Sequence, residues 1–473
     1  MSGNLSKPDA AVSPPARFFA VLAGIIFGLA LLKLGTPVIF ERRLPAPSNW
    51  LEILFYSWPL AWGLWLLGTL ALAGAGLRLA ARFGRPPGST PWVAPAPDEV
   101  KAGSSRRWWR VLLWLPLAWF LWQGVSATQT LDPGLSREAL WHFAACITCF
   151  YLGLFVLGRL RRQPEFLAGL LLALAVVLAA GWDQRFGGLE DTRRRYEKID
   201  WSQMPPEMAA RLNTQEFRAR MASDRIFSTF VYPNALAGAI LLLLPLAIQS
   251  GWRWGCWRFS SSKAAWLAAG AVAAAGLGCL YWSGSKAGWL IALLAGLAAW
   301  LSSRFSTRLK WFAAIALLAA GLAGFLWKFS AYFSERRAAS VSARFAYWRV
   351  AARVAADRPW VGTGPGTFIL PYRQMKPPEA EMTRLVHNDY LQQASDSGWP
   401  AFFLYAAFIA GSLWRLRPAG GAAHPDFGLW LGLAAWALHG LVEFGLYIPA
   451  ESWIFFLLLG ALWSEQRHPG AGG

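Results

Sequence analysis

Charge is scarce in this chain. Asp, Glu, Lys and Arg make up 15% of its 473 residues, against 56% hydrophobic and 15% aromatic, whereas soluble domains average about 25% charged. That deficit excludes an ordinary soluble domain and points to an integral membrane protein. Cysteine is scarcer still, and Cys146, Cys149, Cys256 and Cys279 all sit in or beside apolar runs. No disulfide framework follows from them. The CxxC of Cys146 and Cys149, within a hydrophobic stretch and without a second pair, reads as small buried thiols rather than a redox or zinc site. The short loops lack clustered Asp or Glu, so no metal and no cofactor is expected. No GK[ST] accompanies Gly362, Gly364 and Gly366, which excludes a nucleotide P-loop and leaves a tight turn around Pro365. No signal-peptidase-like site follows the polar N-terminus, and the first span is expected to stay uncleaved. The net charge of +19 comes from basic residues that punctuate apolar segments instead of forming a patch, so no nucleic-acid partner is expected.

What the chain has in quantity is apolar length. A helical span needs about 20 largely apolar residues, and roughly twelve are expected on that criterion. They lie near 17–40, 53–77, 108–124, 138–158, 165–182, 230–249, 264–282, 286–302, 311–328, 399–414, 427–443 and 446–463. Alternate connections are rich in Lys and Arg: 82–110, 159–162, 253–263, 304–310 and 415–417. The positive-inside bias puts these and both tails, 1–16 and 466–473, in the cytoplasm. Two long loops, 183–229 and 329–398, then face outward, dividing the membrane helices into groups at 17–182, 230–328 and 399–465. The Pro/Gly/Ser-rich segment 81–107 reads as a connector. The fold expected is one all-α polytopic bundle without a separable soluble domain.

The outer loops carry the chemistry-bearing residues. In the first, 206–222 has the composition of an interfacial helix, and Arg225 precedes a span that opens with Tyr232, Pro233 and Asn234. An Arg there can snorkel to headgroups or meet a phosphate. In the second, Ser340 or Ser342 can cap a helix that runs to about Asp357, before Pro359. Val341, Phe345, Trp348, Ala352 and Ala355 are expected to form its apolar stripe, with Arg349, Arg353 and Asp357 on another side and Arg344 four residues before Trp348. His387, followed by Asn388, Asp389 and Tyr390, is suited to accept a hydroxyl proton near neutral pH. His439 and Glu443, at i and i+4 in the eleventh span, form either a structural pair or an intramembrane site.

These stretches together resemble the bacterial O-antigen ligase and polymerase superfamily, polytopic inner-membrane glycosyltransferases that also include protein O-oligosaccharyltransferases. The resemblance rests on DRIFSTFVYPNALAG, SGSKAG, SARFAYWRVA followed by DRPWVGTGPGTF, HNDYLQQASDSG and HGLVEFGLYIPA, and covers roughly 220–465. It implies a GT-C-like architecture with a large periplasmic loop between the ninth and tenth spans. It also implies metal-independent, inverting transfer of a glycan from an undecaprenyl-pyrophosphate carrier to a hydroxyl on lipid A core, a second glycan or a protein. The family's arginines correspond to Arg225 and Arg344 and its essential histidine to His387. Asn234, Trp348, Asn388 and Tyr390 are further expected substrate neighbours. Lys286 stands where the family usually has Arg, keeping the charge and losing the bidentate fork. A transporter should show interrupted helices in corresponding halves; one asymmetric polar loop favours an enzyme.

Overall fold

The computed structural model describes residues 14–43, 46–83, 109–158, 163–200, 221–303, 305–316, 339–378 and 380–466, with isolated positions between them. Most of both tails, almost all of the 81–107 connector, most of the 206–222 interfacial helix and most of the 311–328 span lie outside the described residues. Within them the chain is all-helical, without strands, as a polytopic membrane protein should be.

The first helices are α1 (Pro14–Lys33), α2 (Trp50–Phe55), α3 (Leu60–Phe83), α4 (Leu115–Ala127), α5 (Pro133–Leu152), α6 (Pro164–Asp183) and α7 (Leu189–Glu197). There follow α8 (Pro233–Phe259), α9 (Ser262–Trp282), α10 (Lys286–Leu301), α11 (Ala339–Asp357), α12 (Ile369–Met375), α13 (Asp389–Arg415), α14 (Phe427–His439) and α15 (Pro449–Gln466). Six of them, α1, α3, α5, α6, α8 and α9, contain stretches long and apolar enough to cross a membrane, and α10, α14 and α15 are shorter apolar helices. Proline opens several of them at the position where a missing N–H costs nothing, and Asp132 caps α5 by accepting from the N–H groups of Gly134 and Leu135.

Three spans differ from the sequence expectation because local breakers interrupt them. The second is split after Phe55, with Pro59 just before α3. The tenth, 399–414, continues an extra helical segment that begins at Asp389, and the two join at Gly398, whose φ of 79° breaks the winding. The eleventh stops at His439, so Gly440 to Phe444 form a turn rather than helix. The start of α11 also shifts: it begins at Ala339, which places Ser340 and Ser342 inside its first turn, while its end at Asp357 is the one expected.

Helix α15 is the buried centre, packed against α1, α5 and α14. It meets α5 backbone to backbone. A Cβ on Gly460 would lie 2.0 Å from the Phe150 carbonyl oxygen, and one on Gly153 would lie 2.1 Å from that of Leu457. Small residues allow this approach where lipid offers no hydrophobic drive between helices. Bulky apolar side chains such as Trp65, Leu72, Trp266 and Leu267 face outward from the bundle. At the C-terminal end of α8, exposed Trp252, Trp254, Trp257 and Phe259 intersperse with Arg253 and Arg258, the composition of a membrane–water interface. The polar cavity lies at the opposite end, where α8 and α10 begin and α9 and α14 finish.

Candidate active site

The cavity is assembled by short loops pinned to helix ends. Backbone N–H of Ile226 donates to the Trp282 carbonyl, 3.1 Å away, which lays the 223–232 loop against the end of α9. Arg225 Nε then donates to the Ser283 carbonyl at 2.7 Å, and its Nη2 to Asn234 Oδ1 at 2.7 Å. The SGSK turn makes room for this. Gly284 has φ of 62°, and a Cβ there would lie 3.1 Å from Arg225 Nε. Ser285 caps α10 by accepting from Gly288 N–H, placing Lys286 at the rim.

His387 enters from the other long loop. Its backbone φ of 54° is the left-handed region, which histidine tolerates better than most residues. Its neighbours hold it there. Asn388 caps α13 by accepting from Leu391 N–H at 2.9 Å, and the backbone N–H of Asp389 donates to the Gly440 carbonyl at 2.7 Å. Asp389 Oδ2 accepts from Leu446 N–H at 3.0 Å, and the Tyr390 hydroxyl donates to the Ala437 carbonyl at 3.0 Å. Of the HNDY run, only His387 lines the cavity. The other three fasten the start of α13 to the turn after α14. The imidazole lies 5.6 Å from the Tyr347 ring and 4.7 Å from that of Phe444, centroid to centroid.

The junction of both halves is Glu443, a residue left unassigned by spacing alone. One carboxylate oxygen accepts from Asn234 Nδ2 at 2.6 Å and from the Arg344 guanidinium; the other lies 3.1 Å from His387 Nδ1. Arg344 Nε also donates to the Val442 carbonyl at 3.1 Å. Arg225, Asn234, Glu443, Arg344 and His387 thus form one continuous network. The expected His439–Glu443 partnership is replaced: no hydrogen bond joins them among the described residues, and the helix ends between them. Glu443 is 3% exposed. Burial works against its charge, but His387 and Arg344 beside it hold the carboxyl well below the usual carboxylate range. Burial lowers the Arg225 guanidinium, with Glu443 opposing, and pushes the Tyr347 phenol up to about 12.

The cavity has a volume of about 720 Å³, within the range of small-molecule sites. Arg225, Lys286, Arg344, Arg373 and Arg384 all line it, with Glu381 as the acid on its wall. Arg373 and Arg384 were not singled out from sequence; their signal was an arginine three residues before His387 and another directly after Tyr372. Arg384 lies over the Phe40 ring, 4.8 Å from its centroid.

Three expected neighbours are placed elsewhere. Asn388 and Tyr390 serve the backbone as described, and Trp348 Nε1 donates to the His387 carbonyl at 3.4 Å without lining the cavity. The buried face of α11 keeps Ala355 of the expected stripe but is otherwise rotated from it. Tyr347, Val350, Ala351 and Val354 pack on Phe368, Tyr372 and Val386, while Phe345 is 57% exposed. The glycine cluster is scaffold: Gly364 N–H donates to the Asp396 carbonyl at 2.7 Å and Gly366 N–H to Asp396 Oδ2 at 2.8 Å. Among the described residues, no three His, Cys, Asp or Glu side chains gather as a metal ion would need.

Residues 271–406 match the family model described as O-antigen ligase, which supports the resemblance to that superfamily. The matched stretch contains Lys286, Arg344 and His387, whereas Arg225, Asn234 and Glu443 lie outside it. No curated protein matches the chain.

Proposed function

We propose that this multi-pass membrane protein is an inverting, metal-independent glycosyltransferase of the O-antigen ligase type. It would move a glycan from undecaprenyl pyrophosphate to a hydroxyl acceptor at the periplasmic face of the inner membrane. The observation that carries this reading is the convergence of Arg225, Arg344, Lys286 and His387 on one cavity, with His387 Nδ1 on Glu443.

The chemistry follows from that arrangement. Glu443, held ionised, keeps the imidazole proton on Nδ1 and leaves Nε2 as the acceptor nitrogen. The acceptor hydroxyl gives its proton to Nε2 as its oxygen attacks the anomeric carbon. The bond from that carbon to the pyrophosphate oxygen breaks on the opposite face, and the electron pair leaves with the pyrophosphate. Arg225 and Arg344, with Lys286 at the rim, meet the charge that grows on the leaving group. The positive charge that develops on His387 is met by Glu443. Apolar helices below the cavity would take the polyprenyl tail in the plane of the lipid.

In proteoliposomes, His387→Ala should abolish transfer from an undecaprenyl-pyrophosphate donor and leave donor binding largely intact. General-base assistance is worth roughly 10²–10⁴-fold. Turnover at the wild-type rate would remove His387 from the base role.

A further inference from the structure

Beneath the cavity lies a second, much smaller space of about 10 Å³, lined by Asn234, His439, Glu443 and Glu451 among others. A water-sized sphere takes about that volume, and a buried water is held where two to four polar groups converge. Two such groups are waiting. His439 Nε2 and Glu451 Oε1 are both buried without a hydrogen-bond partner among the described residues. Their residues are 2% and 1% exposed.

The backbone is shaped around the Glu451 carboxyl. A Cβ on Gly238 would come 2.2 Å from Glu451 Oε2, and one on Gly445 would come 3.1 Å from it. The same oxygen accepts from Trp436 Nε1 at 2.8 Å. The two acids of this space differ in their partners. Glu443 has the Arg344 guanidinium, whereas no ion pair reaches Glu451 among the described residues. An isolated buried carboxylate is too costly to keep charged. Glu451 is therefore carried as the neutral acid, and its O–H needs an acceptor.

We propose that one water occupies this space, accepting the Glu451 Oε1 hydrogen and donating to His439 Nε2 and to the Glu443 carboxylate. Glu451 and His439 are then positioning residues. They fix Glu443 from below, and Glu443 fixes His387. The kinetic consequence rests on the transferase reading; the water-linked acid itself does not.

The test uses the full-length protein in lipid nanodiscs. Infrared difference spectra between wild type and Glu451→Gln should show the carbonyl stretch of a protonated carboxylic acid lost in the variant, and His439→Leu should shift that band. No lost band, or a band unmoved by His439→Leu, overturns the proposal. In transfer assays, Glu451→Leu and His439→Leu should lower kcat by about tenfold with donor KM changed less than about twofold, as expected for losing one buried hydrogen bond behind the base. Glu451→Gln retains a donor toward the water, keeps the side-chain shape and should stay near wild-type kcat. Unchanged kcat in correctly folded Leu variants overturns the positioning role. If wild-type protein transferred no glycan at all, the transferase reading would fail while the infrared result still decided the network.

Discussion

The sharpest test of the site is Glu443→Gln, because the substitution preserves shape and removes only charge and one acceptor oxygen. Glu443 accepts from Asn234 Nδ2 at 2.6 Å and from Arg344, and stands 3.1 Å from His387 Nδ1. A glutamine has a single acceptor oxygen. If its NH₂ turns toward His387, the imidazole proton moves to Nε2, the nitrogen required to take the acceptor proton. If the NH₂ turns the other way, it meets two donors. The first arrangement removes the base; the second leaves Nε2 free but sets the amide against Asn234 and Arg344 and leaves the imidazolium without its counter-charge, so kcat should fall by roughly 10²–10⁴-fold, about 3–5 kcal/mol of transition-state stabilisation. Donor KM should change far less, since Arg225 keeps its Ser283 and Asn234 contacts. The charge also has a pH signature. A carboxyl held below its unfolded value contributes stability that is full above the ordinary carboxylate range and fades as pH falls below it. The Gln variant should lose that acid-side dependence, measured by thermal melting in detergent between neutral and acidic pH. The assay for rate is glycan transfer at saturating donor in proteoliposomes. A folded Gln variant within about threefold of wild-type kcat, against the general-base range, would refute the orienting role of Glu443.

Further outcomes follow from the same geometry. Arg344→Lys or Arg344→Gln should weaken use of the donor more than of the acceptor, since a lysine loses the planar fork that meets Glu443 and a phosphate together. A change confined to acceptor KM would reassign that arginine. Gly284→Ala should lower transfer by pressing on Arg225 Nε from 3.1 Å and by forcing a φ of 62° on a residue with a Cβ, a backbone cost of about 1 kcal/mol. Transfer kinetics against melting temperature separate the two effects. Gly460→Ala should destabilise without changing the donor-to-acceptor balance, because its Cβ would meet the Phe150 carbonyl at 2.0 Å. An unchanged melting temperature would mean that α5 and α15 can separate.

The bundle was legible because composition and apolar length are strong signals, and Arg225, Arg344 and His387, singled out for their chemistry, line one cavity. What spacing could not reach was Glu443. It lies 99 residues from Arg344 and 56 from His387, and its four-residue spacing from His439 suggested a partner on the same helix. That inference assumed continuous winding through Gly440. The helix stops at His439, the turn after it carries Glu443 toward Asn234, and the i, i+4 argument no longer applies. The apolar stripe of α11 was misplaced for a different reason: the winding is continuous, but Tyr347 rather than Phe345 faces inward because the helix packs on Phe368, Tyr372 and Val386, residues from beyond its own end. Asn388 and Tyr390 read as substrate neighbours for a third reason. Adjacency to His387 is adjacency along the chain, and in a residue with φ of 54° the backbone reverses course. The side chains on either side of such a position are turned away from the one that faces the cavity. A histidine held in that conformation by a cap, a carboxylate clasp and a tyrosine hydroxyl is fixed in place before any substrate arrives. The proposed base role of His387 draws on that rigidity more than on the identity of the HNDY run.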